Sequence, residues 1–411
     1  MAWASCTGAL VIGGDYRGLG VVRSLGRRGI PVWVLRDEHQ LAATSRYARR
    51  SLPWPATSEA EQCGYLLDLA AREGLDGWAI FPTGDETAAL VARHHAVLAQ
   101  WFRLTTPPWE TLRYAYDKRL TYRLAGDLGL SYPSTWYPRD RAEVAGLDCA
   151  FPVILKPAVR QGLNRFTAAK AWRVDDREML LARYGEACGL VGADTIMVQE
   201  LIPGGGDAQL SYAALCAGGQ ALASVVARRT RQYPMDFGRA STYVETIDQP
   251  EVETVARRLL EAFDYTGLVE VEFKRDPRDG RYCLLDVNGR VWGWHTIAWR
   301  AGLDFPYLQW QVLQGTSVAV RRAPVGQRWV RLVTDLPTAA REIARRALSP
   351  GAYLRTLAPP IEPAIFAADD PAPFLLEVPL MLFLAWQRHA TRDPAHPAQH
   401  APVERVDAGS R

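Results

Sequence analysis

The 411-residue chain is poor in two residue types that other proteins use freely. Of its 48 Lys and Arg residues only Lys118, Lys156, Lys170 and Lys274 are lysine, and its only asparagines are Asn164 and Asn288. A position that stays Lys or Asn against such a bias is a candidate for a chemical role. Lys is a flexible point charge that can follow a phosphate oxygen, whereas Arg is a rigid planar fork. Asn offers a neutral carbonyl oxygen that suits a magnesium shell beside carboxylates. Lys274, inside the charged stretch Lys274-Arg275-Asp276, reads as chance survival.

Other absences narrow the function further. The six cysteines (Cys6, Cys63, Cys149, Cys188, Cys216, Cys283) form no CxxC pair, which argues against a zinc site or disulfide framework and fits a reducing compartment. Net charge is +3, too small to make nucleic acid the default partner, and no nucleic-acid motif stands out. GxxxxGK[ST] occurs nowhere, which excludes a Walker P-loop. Met1 to Gly8 lacks a basic, apolar leader, so a cytoplasmic location is expected. The apolar run Phe374 to Trp386 is too short to span a bilayer and is broken by Glu377 and Pro379. It reads as a buried helix or strand, with a membrane-surface contact as the less favoured alternative.

What is present suggests an α/β protein. Gly8 to Gly13 reads as a buried strand, Gly13 to Gly20 as a glycine-rich turn opening a helix to about Arg28, and Ile30 to Leu35 as a second strand. That order predicts a parallel sheet. The turn lacks GxGxxG spacing, so it reads as a structural turn rather than a nicotinamide-dinucleotide site. A strand Trp78 to Phe81 ends in Pro82-Thr83-Gly84-Asp85-Glu86, and polar residues past a strand's carboxyl end are where open α/β sheets bind ligands. Further on, one helix is expected from Tyr114 to Leu128, closed by Gly129.

The chemistry concentrates in a pair of strands. Glu270 and Glu272 are two apart and so share a face, as do Asp286 and Asn288 on the partner strand beyond the turn Asp276 to Gly280. Val269, Val271, Phe273, Leu285 and Val287 interleave and predict a buried opposite face. Carboxylates so close repel one another without a cation, and the hard oxygen set suits magnesium. Arg290 would project beside them towards a phosphate or developing negative charge. Lys156 ends the apolar strand Phe151 to Pro157, and the polar loop Arg160 to Thr167, with Gly162 and Asn164, follows it. The segment Glu200-Leu201-Ile202 could offer backbone groups to an adenine edge, and Asp207 could accept from a ribose hydroxyl. The basic stretch around Arg228, Arg229, Arg231, Tyr233 and Gly238 is either a subsite for a substrate carboxylate or γ-phosphate or a solvated loop.

Together, Lys118, Lys156, Gln199 to Gly204, Asp207, Glu272 and Asp286-Val287-Asn288-Gly289-Arg290 resemble the ATP-grasp superfamily over about residues 1 to 315. The last block is similar to its E-x-N-x-R motif with Asp in the first place, and the surrounding Val269 to Trp294 resembles its carboxylate-amine ligase branch, near the carbamoyl-phosphate-synthase-like and D-aspartate-ligase-like groups. The resemblance implies an N-terminal parallel-sheet pre-ATP-grasp domain (1–113) and a two-lobed α+β ATP-grasp domain (114–316), with its small lobe over 114–198 and its metal-bearing lobe over 199–316. An extension (317–391) and a disordered tail (392–411) would follow. It also implies ATP and Mg2+, or Mn2+ in its place, as cofactors. Lys118, Lys156 and Lys170 would face the phosphates, Glu200, Leu201 and Ile202 the adenine, and Asp207 the ribose. Glu272, Asp286 and Asn288 would hold the metal and Arg290 would stabilise the transferring phosphoryl group, with Arg229, Arg231 and Gly238 near the substrate. The implied reaction activates a carboxylate as an acyl phosphate, joins it to an amine and releases ADP. The partners would be small-molecule carboxylates and amines, no nucleic acid, and a second copy if the chain is a homodimer. The competing reading is a non-catalytic ATP-binding scaffold.

Overall fold

The computed structural model describes residues 8–159, 162, 164–233, 235, 238 and 240–390, with the side chains of 388–390 outside the description. The chain opens with β1 (Ala9–Ile12), α1 (Tyr16–Gly26), β2 (Val32–Arg36), β3 (Ala48–Pro53), α2 (Glu59–Glu73), β4 (Ala79–Pro82), α3 (Asp85–Arg93), α4 (His95–Leu98) and β5 (Arg103–Leu104). The strands form the expected parallel sheet, in the order β3-β2-β1-β4-β5. β1 and β4 are buried on both faces, which is why they read as unbroken apolar runs.

A linker of two helices follows in place of the single expected one. Asp117 is extended (φ −103°, ψ 109°) and breaks the run into α5 (Trp109–Tyr116) and α6 (Lys118–Asp127). Its carboxylate caps α6 by accepting from the Arg119 amide at 2.9 Å. The break sets Lys118 at the first position of α6.

The small lobe comprises β6 (Thr135–Trp136), α7 (Arg141–Ala145), β7 (Val153–Pro157), α8 (Arg165–Ala169), β8 (Trp172–Val174), α9 (Arg177–Val191) and β9 (Ile196–Glu200), with an antiparallel sheet ordered β6-β9-β7-β8. The large lobe adds β10 (Gln209–Ala217), β11 (Gln220–Tyr233), β12 (Ala240–Thr246), α10 (Pro250–Ala262), β13 (Gly267–Arg275) and β14 (Tyr282–Asn288). The remaining elements are α11 (Phe305–Leu313), β15 (Arg321–Arg322), β16 (Arg328–Val330), α12 (Leu332–Ala344), α13 (Pro350–Thr356), β17 (Ile361–Pro363) and α14 (Ala372–Ala390). The large sheet runs β14-β13-β10-β11-β12-β16-β17, with β15 paired to β11, so residues 317–391 add three strands to it.

The large sheet has two dry faces. Val269, Val271 and Phe273 pack with α5, α6 and α10, whereas Ala213, Leu215, Val225 and Leu268 share a core with Val11 of β1 and Leu19 and Val22 of α1 in the N-terminal domain. The N-terminal domain is therefore fused to the large lobe through one hydrophobic core. The run Phe374 to Trp386 departs from its main expectation: it is helical, as α14, but most of its large side chains are exposed.

Arg231 is locked beneath the C-terminal helices. Its Nε and Nη2 donate to Asp335 at 2.8 and 2.9 Å, Thr242 Oγ1 donates to the same carboxylate at 2.8 Å, and the two charged side chains are 4% and 0% exposed. The guanidinium also stacks 4.3 Å from the Tyr243 ring centre. Removing one partner of a buried pair strands the other charge. Asp335→Ala should therefore lower unfolding free energy by about 3–5 kcal/mol, read from urea midpoints.

Candidate active site

A cleft of about 790 Å³ lies where the N-terminal domain, the small lobe and the large lobe meet. Lys118, Lys156, Lys170, Glu200, Leu201, Ile202, Arg229, Gly238, Glu272, Asp286, Asn288 and Arg290 all line it.

Its floor is the β13–β14 pair. Glu272 stands opposite Asp286 and Glu270 opposite Asn288, as the two-residue spacing predicts. The pairing slips between Glu272 and Phe273, so Leu284 rather than Leu285 joins Val287 in the apolar face. Leu285 lines the cleft instead. Each polar group on the floor has a partner. Arg229 Nη1 meets Glu272 Oε2 at 2.5 Å, and Lys118 Nζ meets Asp286 Oδ1 at 2.7 Å. Asn288 Nδ2 donates to Glu272 Oε1 at 2.9 Å, and Trp294 Nε1 donates to Glu270 Oε1 at 2.9 Å. Arg290 donates through Nε to Asp85 Oδ1 at 2.7 Å and through Nη2 to Asn288 Oδ1 at 3.0 Å.

The two glutamates are driven apart in acidity. Burial raises the Glu270 carboxyl, and the charge of Glu272 raises it further. Burial pushes Glu272 the same way, but Arg229, Lys170 and the Asn288 amide together outweigh it and hold that carboxyl low. Glu272 is thus the more acidic of the two, and Glu270 accepts from Trp294 and Asn288 beneath it. Among the described residues no three His, Cys, Asp or Glu side chains form a metal-ligand cluster. Two carboxylates and an amide oxygen on adjacent strands nevertheless make a hard donor set that fits Mg2+, whose shell is ordinarily completed by phosphate and water. Arg229 and Lys118 hold the charge that such an ion would balance.

The opposite wall comes from the small lobe. Lys156, at the end of β7, donates to Gln199 Oε1 at 3.4 Å, and Gln199 Nε2 donates to Thr135 Oγ1 at 2.9 Å. Burial lowers Lys156 to about 8, with the neighbouring Lys118 charge acting in the same direction. Lys170 caps α8 at φ 62° and faces the same space. The loop expected over the phosphates falls partly outside the description, at Arg160, Gln161 and Leu163. Its described end is built around Asn164, which caps α8 by accepting from the Phe166 and Thr167 amides at 2.9 and 3.0 Å. Asn164 therefore has a structural task as well as a place on the cleft.

Three expected residues sit differently. Asp207 is exposed in the turn before β10 and does not line the cleft, where Gln209 does. Arg231 is committed to Asp335. The β11–β12 ladder slips around Arg231, which breaks simple alternation and brings Gln232 rather than Arg231 to the cleft. Lys274, expected to be incidental, lines the cleft.

The N-terminal domain supplies a wall that spacing alone does not assign. Asp15, Tyr16, Arg17, Glu38, His39 and Asp85 all lie past strand ends and face the cleft, and of these only Asp85 stands in a segment marked by its position. The Gly13 turn is structural: a Cβ on Gly14 would lie 1.9 Å from the His39 carbonyl oxygen. Asp15 caps α1 by accepting from the Arg17 and Gly18 amides at 2.9 and 3.4 Å. A carboxylate thus occupies the helix N-terminus where a dinucleotide pyrophosphate would sit. His295 is core, with Nδ1 bonded to the Trp292 carbonyl at 2.8 Å.

Comparison with known proteins fits this geometry. Residues 193–335 match a family described as ATP-grasp in the biosynthetic pathway with Ter operon. A D-aspartate ligase of Enterococcus faecium (strain Aus0004) is 27% identical over 228 residues, 50% of this chain and 52% of that protein, so the chain spans about half the length of that relative. Among solved structures, an L-amino acid ligase from Bacillus licheniformis superposes with a TM-score of 0.57 at 16% identity, over 76% of this chain and 75% of that one. An N5-carboxyaminoimidazole synthetase from Staphylococcus aureus gives 0.57 at 13% identity, over 77% and 80%. The biotin carboxylase domain of Hydrogenobacter thermophilus 2-oxoglutarate carboxylase, in complex with MgADP, gives 0.61 at 14%, over 77% and 72%. At these identities the solved structures establish the fold.

Lys156 gives the site a pH signature. Its ammonium attracts phosphate only when protonated, and in the free protein it loses that proton near pH 8. Mg-ADP affinity measured by calorimetry should fall about tenfold from pH 7 to pH 9. In Lys156→Arg it should stay nearly flat, because guanidinium keeps its proton over that range.

Proposed function

We propose that this chain, an ATP-grasp protein by its family match and its fold, is a ligase that activates a carboxylate with ATP and joins it to an amine, releasing ADP and phosphate. The observation that carries this reading is the facing of two walls. Glu272, Asp286 and Asn288 lie on one side of the cleft, Lys118 stands against Asp286, and Lys156 and Lys170 lie on the other wall. A triphosphate between them would meet cations from the small lobe and a metal-bearing edge from the large lobe.

A carboxylate is a poor electrophile at neutral pH, and phosphorylation gives it a leaving group. The chain's own residues would do this by position and charge. Lys118 and Lys156 would hold the phosphates against mutual repulsion, and Arg290, oriented by Asp85, would stabilise charge on the transferring phosphoryl group. Glu272, Asp286 and Asn288 would hold Mg2+, which when bound neutralises phosphate charge and polarises the bridging oxygens. Glu200, Leu201 and Ile202 line the cleft at the exit of β9 and would take the adenine. The Asp15 to His39 wall would form the far end, where the carboxylate and amine meet away from water. Likeness to a D-aspartate ligase and an L-amino acid ligase makes amino acids of both hands the first substrates to test.

Hydroxylamine can replace the unknown amine. With ATP, Mg2+ and amino acids, wild type should form hydroxamate and ADP in equal amounts. AMP and pyrophosphate in place of ADP, or ADP release indifferent to any carboxylate, would refute the reaction. Arg290→Ala should lower turnover by about 10²–10³-fold while Mg-ADP binding stays nearly unchanged. Nucleotide binding without hydroxamate from any acid would favour the scaffold reading.

A further inference from the structure

Away from the cleft, α14 carries the largest group of outward-facing apolar side chains among the described residues. This helix rests on the protein by one narrow stripe, Pro373, Glu377, Leu380 and Leu384, spaced i, i+4, i+7, i+11. Leu380 packs on the shared core, and Glu377 is buried and accepts from Arg331 Nη2 at 3.1 Å. Between Phe374 and Trp386 the rest of the helix surface is apolar and faces outwards. At about 100° per residue, the arc from Met381 through Val378, Leu382, Leu375 and Trp386 to Leu376 covers roughly 220°. Leu375, Leu382 and Trp386 are 68%, 66% and 65% exposed. Its one acidic residue, Glu377, is on the buried stripe, and Arg388 and Arg392 follow the arc in sequence.

Such an arc is more than an ordinary scatter of surface apolar residues. Its width identifies the occupant. A second helix packed in a dimer covers a stripe of only about 100° and would leave more than half of the arc in water. At the boundary of a bilayer, acyl chains and the apolar part of the headgroup layer together surround the exposed sides of a helix. No helix among the described residues is long and apolar enough to cross a membrane, so α14, 19 residues and about 28 Å long, would lie along a bilayer and not across it. Trp386 is an amphipathic ring of the kind that favours the headgroup layer, and the sequence after it is basic at Arg388 and Arg392, a composition that favours an anionic bilayer.

We propose that α14 is a membrane-surface anchor, seated lengthwise in the boundary between headgroups and acyl chains, with the globular protein held on one side through the Glu377–Arg331 pair. Arg331 also lines the cleft, so the anchored face and the candidate active site share a residue. This inference does not depend on the ligase reading.

Flotation with vesicles of phosphatidylcholine and phosphatidylglycerol tests it on the full chain. Wild type should float with the vesicles. Leu375→Gln/Leu382→Gln/Trp386→Gln should lose about tenfold or more of its bound fraction, with the urea midpoint and Mg-ADP calorimetry unchanged because all three side chains project away from core and cleft. Wild type left at the bottom of the gradient, or wild type and variant floating alike, would overturn the proposal. A wild-type dimer by light scattering that the variant converts to monomer would also overturn it, by assigning the arc to a second copy.

Discussion

Two carboxylates facing each other across a strand pair, Glu272 and Asp286, set the terms for the rest of this molecule. Side by side in a partly dry cleft they repel, and the structure answers with a cation for each: Arg229 from β11 and Lys118 from α6. Those partners come from opposite directions, so the electrostatics of one strand pair tie the large lobe to the linker that carries the small lobe. Lys118 reaches Asp286 because Asp117 ends one helix and caps the next. A continuous helix through this point would have a different geometry there.

The N-terminal domain belongs to the same network. Asp85, past the end of β4, holds Arg290, which in turn bonds Asn288. The shared core between the N-terminal sheet and β10, β11 and β13 keeps that link at fixed distance. Fusion of the domain to the large lobe thus gives the arginine a rigid mount. The small lobe is built differently. Its core is separate, and it faces the cleft through Lys156, Lys170 and the β9 exit.

Much of this is legible in the sequence because strand periodicity is strict. Counting in twos places Glu270 with Glu272, and Asp286 with Asn288, on one face, and their partners across the strand pair match the expected register. The scarcity of Lys and Asn is enough to mark Lys118, Lys156, Lys170, Asn164 and Asn288 as candidates by residue type alone. Counting fails where the ladder slips: irregularities in β11 and β13–β14 turn Gln232 and Leu285 into the cleft while Arg231 goes to Asp335. Lys274 escapes a reading based on its charged neighbours. Asp15, Arg17 and His39 meet the site only when strand ends converge, which no local pattern encodes. Residues 374–386 mislead for another reason: an apolar run carries no label for whether protein covers it, and only the fold shows most of α14 facing outwards.

The central claim is that Glu272, Asp286 and Asn288 receive a divalent ion together with the nucleotide. The most direct measurement is calorimetric ADP affinity with and without Mg2+, in wild type and in Asp286→Asn. The account predicts that Mg2+ strengthens wild-type binding by about tenfold or more and that the substitution abolishes this gain while leaving metal-free affinity in place. Equal affinity in the presence and absence of Mg2+ in wild type would contradict it.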